Sequence, residues 1–208
     1  NLHASLLPNY RGAAPINWAI INGEKQTGVT TFFIDEKIDT GAIIMQSKID
    51  INPTENAGEL HDKLMHLGSE LVLKTVQTIE NGNLNTIVQP LKETKTAYKL
   101  NKDNCKIDWN STLDTIYNKV RGLHPYPAAW GLLSNGNELL NIKLYEVQKH
   151  SEVHEFENGQ LIISKKAIKV AVNGGYIELV NFKFPGKKQM DAASFLNGFT
   201  FNENAKMI

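Results

Sequence analysis

The chain has 208 residues, 41% of them hydrophobic, with 22 basic and 22 acidic side chains that cancel. This is enough apolar material for one large or two small cored domains, and the balance excludes reading a partner from global charge. No apolar run approaches the ~18 residues of a membrane span, so no membrane partner is expected. The single cysteine, Cys105, excludes a disulfide within the chain and fits a reducing, cytoplasmic setting.

In chain order, residues 1–12 are polar and Pro-punctuated and read as a loop. Pro15 suits a first helical turn, and Ile16, Ala19 and Ile20 recur at helical spacing until Asn22-Gly23. Residues 27–35 are β-branched and aromatic and predict a strand, and 42–51 a second, closed by Asn52-Pro53. Thr54-Glu55 opens a long helix on which Leu60, Leu64, Leu67, Leu71, Val72, Val76 and Ile79 keep a 3.6-residue period; Asn81-Gly82 stops it. These β–α–β–α elements predict an α/β, doubly wound first half. Its His61 and His66 stand five apart, off the spacing that shares a helix face, so no metal site is expected.

Residues 89–106 lose periodicity, and within them 96–106 reads as a linker between domains spanning 1–95 and 107–208. Leu113, Ile116, Tyr117 and Val120 predict one helix ending at Gly122. Strand-like runs follow at 129–133, 139–147, 160–164, 168–172 and 176–184, separated by Asn- and Gly-rich turns, which predicts a small antiparallel barrel. Charge divides with the domains. Residues 1–95 carry 8 basic and 11 acidic side chains and 96–208 carry 14 and 11, a net of −3 followed by +3. The second half is therefore the better candidate for a polyanion.

An amide, an imidazole and a carboxylate stand at the edges of the first strand-like runs, in Asn1-Leu2-His3 and Ile38-Asp39-Thr40-Gly41. Taken singly, Asn-x-His reads as a loop cap and Asp-x-Gly as a turn. Together with Ser5-Leu6-Leu7-Pro8, Arg11-Gly12-Ala13-Ala14-Pro15 and Gly28-Val29-Thr30-Thr31, they resemble the active-site half of the folate-dependent formyltransferases. Within that family the wording is most similar to the branch whose acceptor is methionyl initiator tRNA. Looser matches continue through Ile107-Asp108-Trp109, Val120-Arg121-Gly122 and Pro125-Tyr126-Pro127.

The resemblance implies the C-terminal half of a Rossmann-like formyltransferase domain followed by a small barrel of the oligonucleotide-binding (OB) kind. It also implies a further segment before Asn1, since the chain has no initiator Met and opens on Asn1. By the same resemblance Asn1, His3 and Asp39 match the catalytic triplet, and Ser5, Leu6, Leu7 and Pro8 a segment of the tetrahydrofolate site. The donor would be 10-formyltetrahydrofolate, with no metal, acting in a monomer.

Residues i and i+2 of an extended segment point to one side, so the Asn1 amide and the His3 imidazole can both reach one developing oxyanion. A carboxylate at Asp39 would favour the imidazolium and could take the amine's proton. Arg11 can either touch a substrate phosphate or brace the loop. Lys99, Lys102, Lys106 and Arg121 are candidate contacts to the tRNA backbone. Two other functions fit the same residues: formylation of an amino sugar nucleotide, and non-catalytic RNA binding on a retained scaffold.

Overall fold

The computed structural model describes residues 1–90 and 95–208, and the chain divides into two compact units, Asn1–Leu100 and Asn101–Ile208. Residues 91–94, inside the aperiodic stretch, lie outside the described residues. Among the described residues no helix is long and apolar enough to cross a membrane.

In the first unit β1 (Leu2–His3), β3 (Gln26–Phe32) and β4 (Ile43–Asp50) form an antiparallel sheet in the order β1-β3-β4. Two-residue strands β2 (Arg11–Gly12) and β5 (Thr96–Ala97) pair in parallel. Helix α2 (Ala57–Glu80) begins with a capping box at Asn56 and Glu59, which satisfies two backbone donors reciprocally. It lays Ala57, Leu60, Leu64 and Leu71 on Val29 and Ile51, and α1 (Pro15–Ile21) adds Ala19 and Ile20 to that core. The predicted apolar period is real, but Leu67 is only partly buried and Val72, Val76 and Ile79 are exposed. The buried line instead passes through Gly68 and Thr75. Gly68 admits the Leu2 side chain, and the Thr75 hydroxyl bonds that of Thr31 at 2.8 Å.

The stretch 96–106, expected as a linker, divides between the units. Residues 96–97 are β5, and 101–106 is a turn in which Asn101 and Asn104 bond each other's backbone N–H groups at 2.8 and 3.0 Å. Polar side chains here satisfy backbone groups locally and so replace a regular ladder.

In the second unit α3 (Leu113–Leu123), capped by the Thr112 hydroxyl, packs on a seven-stranded sheet. Its strands are β6 (Ala129–Asn135), β7 (Glu138–Ser151), β8 (Leu161–Ile163), β9 (Ile168–Val172), β10 (Gly175–Lys183), β11 (Met190–Asp191) and β12 (Lys206–Met207), with α4 (Ala192–Leu196) after β11. The main path runs β12-β6-β7-β10-β9-β8. A bridge between Gln160 and Lys206 and a bond from Met207 N–H to Gly159 O at 2.8 Å join its two ends into a barrel. Gly159 is required there: its φ is +87°, and a Cβ would lie 2.1 Å from the Met207 carbonyl oxygen.

Candidate active site

Strand alternation builds the site. Leu2 turns toward α2 through Gly68, so its neighbours Asn1 and His3 turn the other way. The ladder to Thr30 and Thr31 of β3 fixes the strand. His3 is 8% exposed, and both ring nitrogens face oxygens: Nε2 donates to Tyr10 O at 2.7 Å, and Nδ1 lies 3.6 Å from Asp39 Oδ2. Tyr10 is anchored in turn. Its hydroxyl donates to Glu24 at 2.5 Å, and Lys95 closes an ion pair on the same carboxylate. Burial and the neighbouring Glu24 push the Tyr10 hydroxyl well above the ordinary phenol range. Burial also raises the Glu24 carboxyl, but the bonds from Lys95 and Tyr10 outweigh it and hold that group below its usual value.

Asp39 reaches His3 because its backbone takes a left-handed turn, φ +56°. L-residues adopt this conformation rarely, and it clusters at functional sites. Its Oδ2 accepts from Gly12 N–H at 3.0 Å. Gly12 has φ +122°, and a Cβ on it would lie 2.4 Å from Ala97 O, so only glycine offers its N–H there. The sequence-predicted pair His3 and Asp39 is thus brought together. Asn1 sits two residues before His3, exposed, with Oδ1 accepting from Leu2 N–H at 2.7 Å. Since Nε2 of His3 is engaged by Tyr10, an imidazole donor toward an oxyanion must act from Nδ1.

The Ser5–Pro8 loop is held from inside. Ser5 is fully buried and donates to Asn9 O at 2.6 Å, and Leu7 packs with Phe32 and Ile43. Thr30 donates to Ser5 O at 2.6 Å and accepts from Leu7 N–H at 3.1 Å. Gln46 adds a bond to Leu7 O at 2.8 Å. Leu6 and Pro8 are the half-exposed members of the run. Thr30 stands in the motif wording Gly28-Val29-Thr30-Thr31, but nothing in the sequence pattern gives it, Tyr10 or Gln46 these roles, because the roles come from what they touch across the fold.

The basic candidates separate. Arg11 braces the loop: Nε and Nη2 donate to Gln89 Oε1 at 3.1 and 2.7 Å. Lys99 and Lys102 are exposed, and Lys106 is half-buried. Lys102 and Lys106 lie 5.4 and 5.8 Å from the Trp130 ring. Arg121, the fourth candidate contact to the tRNA backbone, is buried, donates to Asn118 Oδ1 at 2.9 Å and lies against the Tyr117 ring. Its helical phase sets it beside Val120 on the inner side of α3.

The sequence profile of formyl transferase matches residues 1–76, and that of the formyl transferase C-terminal domain matches residues 99–200. Over all 208 residues the chain is 61% identical to a methionyl-tRNA formyltransferase of Flavobacterium johnsoniae. It is 46% identical to one of Bacteroides thetaiotaomicron over 213 aligned positions. The chain belongs to the formyl transferase family.

The alignments take in 100% of this chain but only 66% of the length of either formyltransferase. Among solved formyltransferases, the N-formyltransferase from Helicobacter canadensis in complex with folinic acid and dTDP-3-aminofucose has 25% identity and a TM-score of 0.67, covering 86% of this chain and 64% of that one. HypX from Aquifex aeolicus, in complex with tetrahydrofolic acid, shares the fold at 20% identity and a TM-score of 0.68, over 97% of this chain and 36% of that one. The fold class is therefore that of the family: an α/β, Rossmann-like part and a small, nearly closed barrel.

Proposed function

We propose that this chain carries the transfer site of an enzyme that moves the formyl group of 10-formyltetrahydrofolate to the α-amine of methionyl initiator tRNA, for translation initiation. The observation that carries this reading is the imidazole–carboxylate pair, His3 Nδ1 at 3.6 Å from Asp39 Oδ2. It lies in a chain 61% identical to a relative named for that reaction.

The acceptor attacks the formyl carbon as a neutral amine. A C–N bond forms and the carbonyl becomes an oxyanion. Asn1 Nδ2–H and an N–H of the His3 ring donate to that oxygen, and one such donor typically contributes about 2.7–4 kcal/mol. Asp39 takes the proton that the amine loses, directly or through water. The bond from the formyl carbon to N10 of the folate then breaks, and the proton that Asp39 took is passed to N10, directly or through water, which returns the carboxylate. No covalent enzyme intermediate is needed. Leu6 and Pro8 offer apolar surface to the donor, while Ser5 and Leu7 act by fixing the loop backbone. One chain supplies all three groups of the site, which suits a monomer, and the buried free thiol of Cys105 suits the reducing cytoplasm.

An amino sugar nucleotide is the competing acceptor, supported by the likeness at 25% identity to the Helicobacter protein. The tRNA reading has the higher identities on its side. The test supplies labelled 10-formyltetrahydrofolate and charged initiator tRNA to the protein at the full length of its relatives. Label on the methionyl amine is the expected result. Binding of tRNA with no transfer would instead support a non-catalytic RNA-binding role.

Lys99, Lys102 and Lys106 are proposed to follow the tRNA phosphate backbone. Replacing all three by Ala is expected to raise KM for tRNA and leave kcat largely unchanged. The slope of log affinity against log salt should flatten by roughly 0.7–0.9 for each lysine that touches a phosphate. A salt slope equal to the parent's would move the contact surface elsewhere.

A further inference from the structure

Gln89 lies in the aperiodic stretch and outside both family matches, yet it is 4% exposed and makes four hydrogen bonds. Its Nε2 donates to Asp39 O at 3.0 Å and to Gly41 O at 2.7 Å. Its Oε1 accepts from Arg11 Nε at 3.1 Å and Nη2 at 2.7 Å. The amide orientation follows from these partners, because a guanidinium only donates and a carbonyl only accepts. Residues 87–89 are themselves fastened to the sheet. Ile87 and Ile43 exchange both backbone bonds, at 2.8 and 2.9 Å.

The two carbonyls that Gln89 holds are that of Asp39 itself, whose φ is +56°, and that of Gly41 two residues on. The loop is also closed at its base by Phe33 N–H to Ala42 O at 2.9 Å, and near its tip by Thr40 to Asp35 at 2.6 Å. Those bonds shape the loop from within. Gln89 ties it to a separate element, β2, whose Arg11 and Gly12 take the amide oxygen and the Asp39 carboxylate respectively.

We propose that Gln89, gripped by Arg11, is a positioning residue that sets the Asp39 carboxylate against His3. This rests on the transfer chemistry proposed above. Gln89 touches no reacting atom. It acts by holding the backbone carbonyls of Asp39 and Gly41, which fixes the left-handed turn that an L-residue adopts rarely.

The test uses the full-length protein with Gln89→Met, which removes all four bonds at similar volume. Gln89→Glu is the second variant; it keeps an acceptor for Arg11 but turns oxygens toward the Asp39 and Gly41 carbonyls. Both are expected to lower kcat about 10- to 100-fold, as misplacement of a reacting group by ~1 Å does. KM for donor and tRNA should stay within about twofold. In an Asp39→Asn background Gln89→Met should change kcat by less than about twofold, because the group it positions is gone. A merely structural residue would lower activity equally in both backgrounds, in step with the loss of folded protein. That result, or an unchanged kcat, overturns the proposal. A parent that transfers no formyl group counts against the proposed function instead. The positioning role is then read from a crystal structure of Gln89→Met: an Asp39 displaced from His3 upholds it, and one that keeps φ near 56° beside His3 overturns it.

Discussion

Asp39→Asn is expected to lower formyl transfer by about 10²–10⁴-fold, the range associated with one positioned acid–base group, while leaving the fold intact. The change is isosteric, and the retained side-chain oxygen can still accept from Gly12 N–H, which the native carboxylate does at 3.0 Å. What disappears is the negative charge 3.6 Å from His3 Nδ1 and the base that receives the amine's proton. Donor binding should hold, since the Ser5–Pro8 loop hangs on Thr30 and Gln46. Turnover near the parent's, with correctly folded protein, would remove Asp39 from the chemistry.

The second large effect is on stability. Leu60 is 0% and Leu64 2% exposed, and both sit in the cluster between α2 and the sheet. Leu60→Ala and Leu64→Ala should each destabilise the first unit by about 2–5 kcal/mol, the range for a buried leucine whose cavity cannot collapse. Val76, on the same helix but 45% exposed, should lose less than about 0.5 kcal/mol on replacement by Ala. Denaturant titration of the three variants checks the ordering. A loss under ~1 kcal/mol at Leu60 would mean that α2 does not carry the core.

The contrast between Leu60 and Val76 marks the limit of periodicity. The spacing of apolar residues located α2 and its stop at Asn81-Gly82, because a 3.6 period and an Asn-Gly end are local properties. It could not say which of two adjoining apolar stripes faces the sheet. That is decided by Gly68 and Thr75, the small and polar residues that the contact needs. The barrel strands were legible for the same local reason, since alternation between turn signals reports one buried face.

Strands β1, β2 and β5 have two residues each, too few for any period, so their existence depends on partners distant in sequence. The burial of Arg121 was not legible from its charge, because it depends on the helical phase that sets it beside Val120. Within the site, His3 and Asp39 were legible through motif wording. The groups that hold them were not. Tyr10 acts through its carbonyl, Gly12 through its N–H, and Gln89 by bonds to residues 78, 50 and 48 positions away.

The central claim is that the His3–Asp39 site serves an aminoacyl-tRNA acceptor. The most direct measurement is a competition in one reaction, with the full-length protein, 10-formyltetrahydrofolate, methionyl initiator tRNA and a dTDP-linked amino sugar. The ratio of the two kcat/KM values is read from the formylated products. A ratio of at least about 10³ in favour of the tRNA is expected, because an acceptor that cannot pair with the site's polar groups forfeits several kcal/mol in the transition state. Equal rates, or formyl groups found mainly on the sugar, would contradict it.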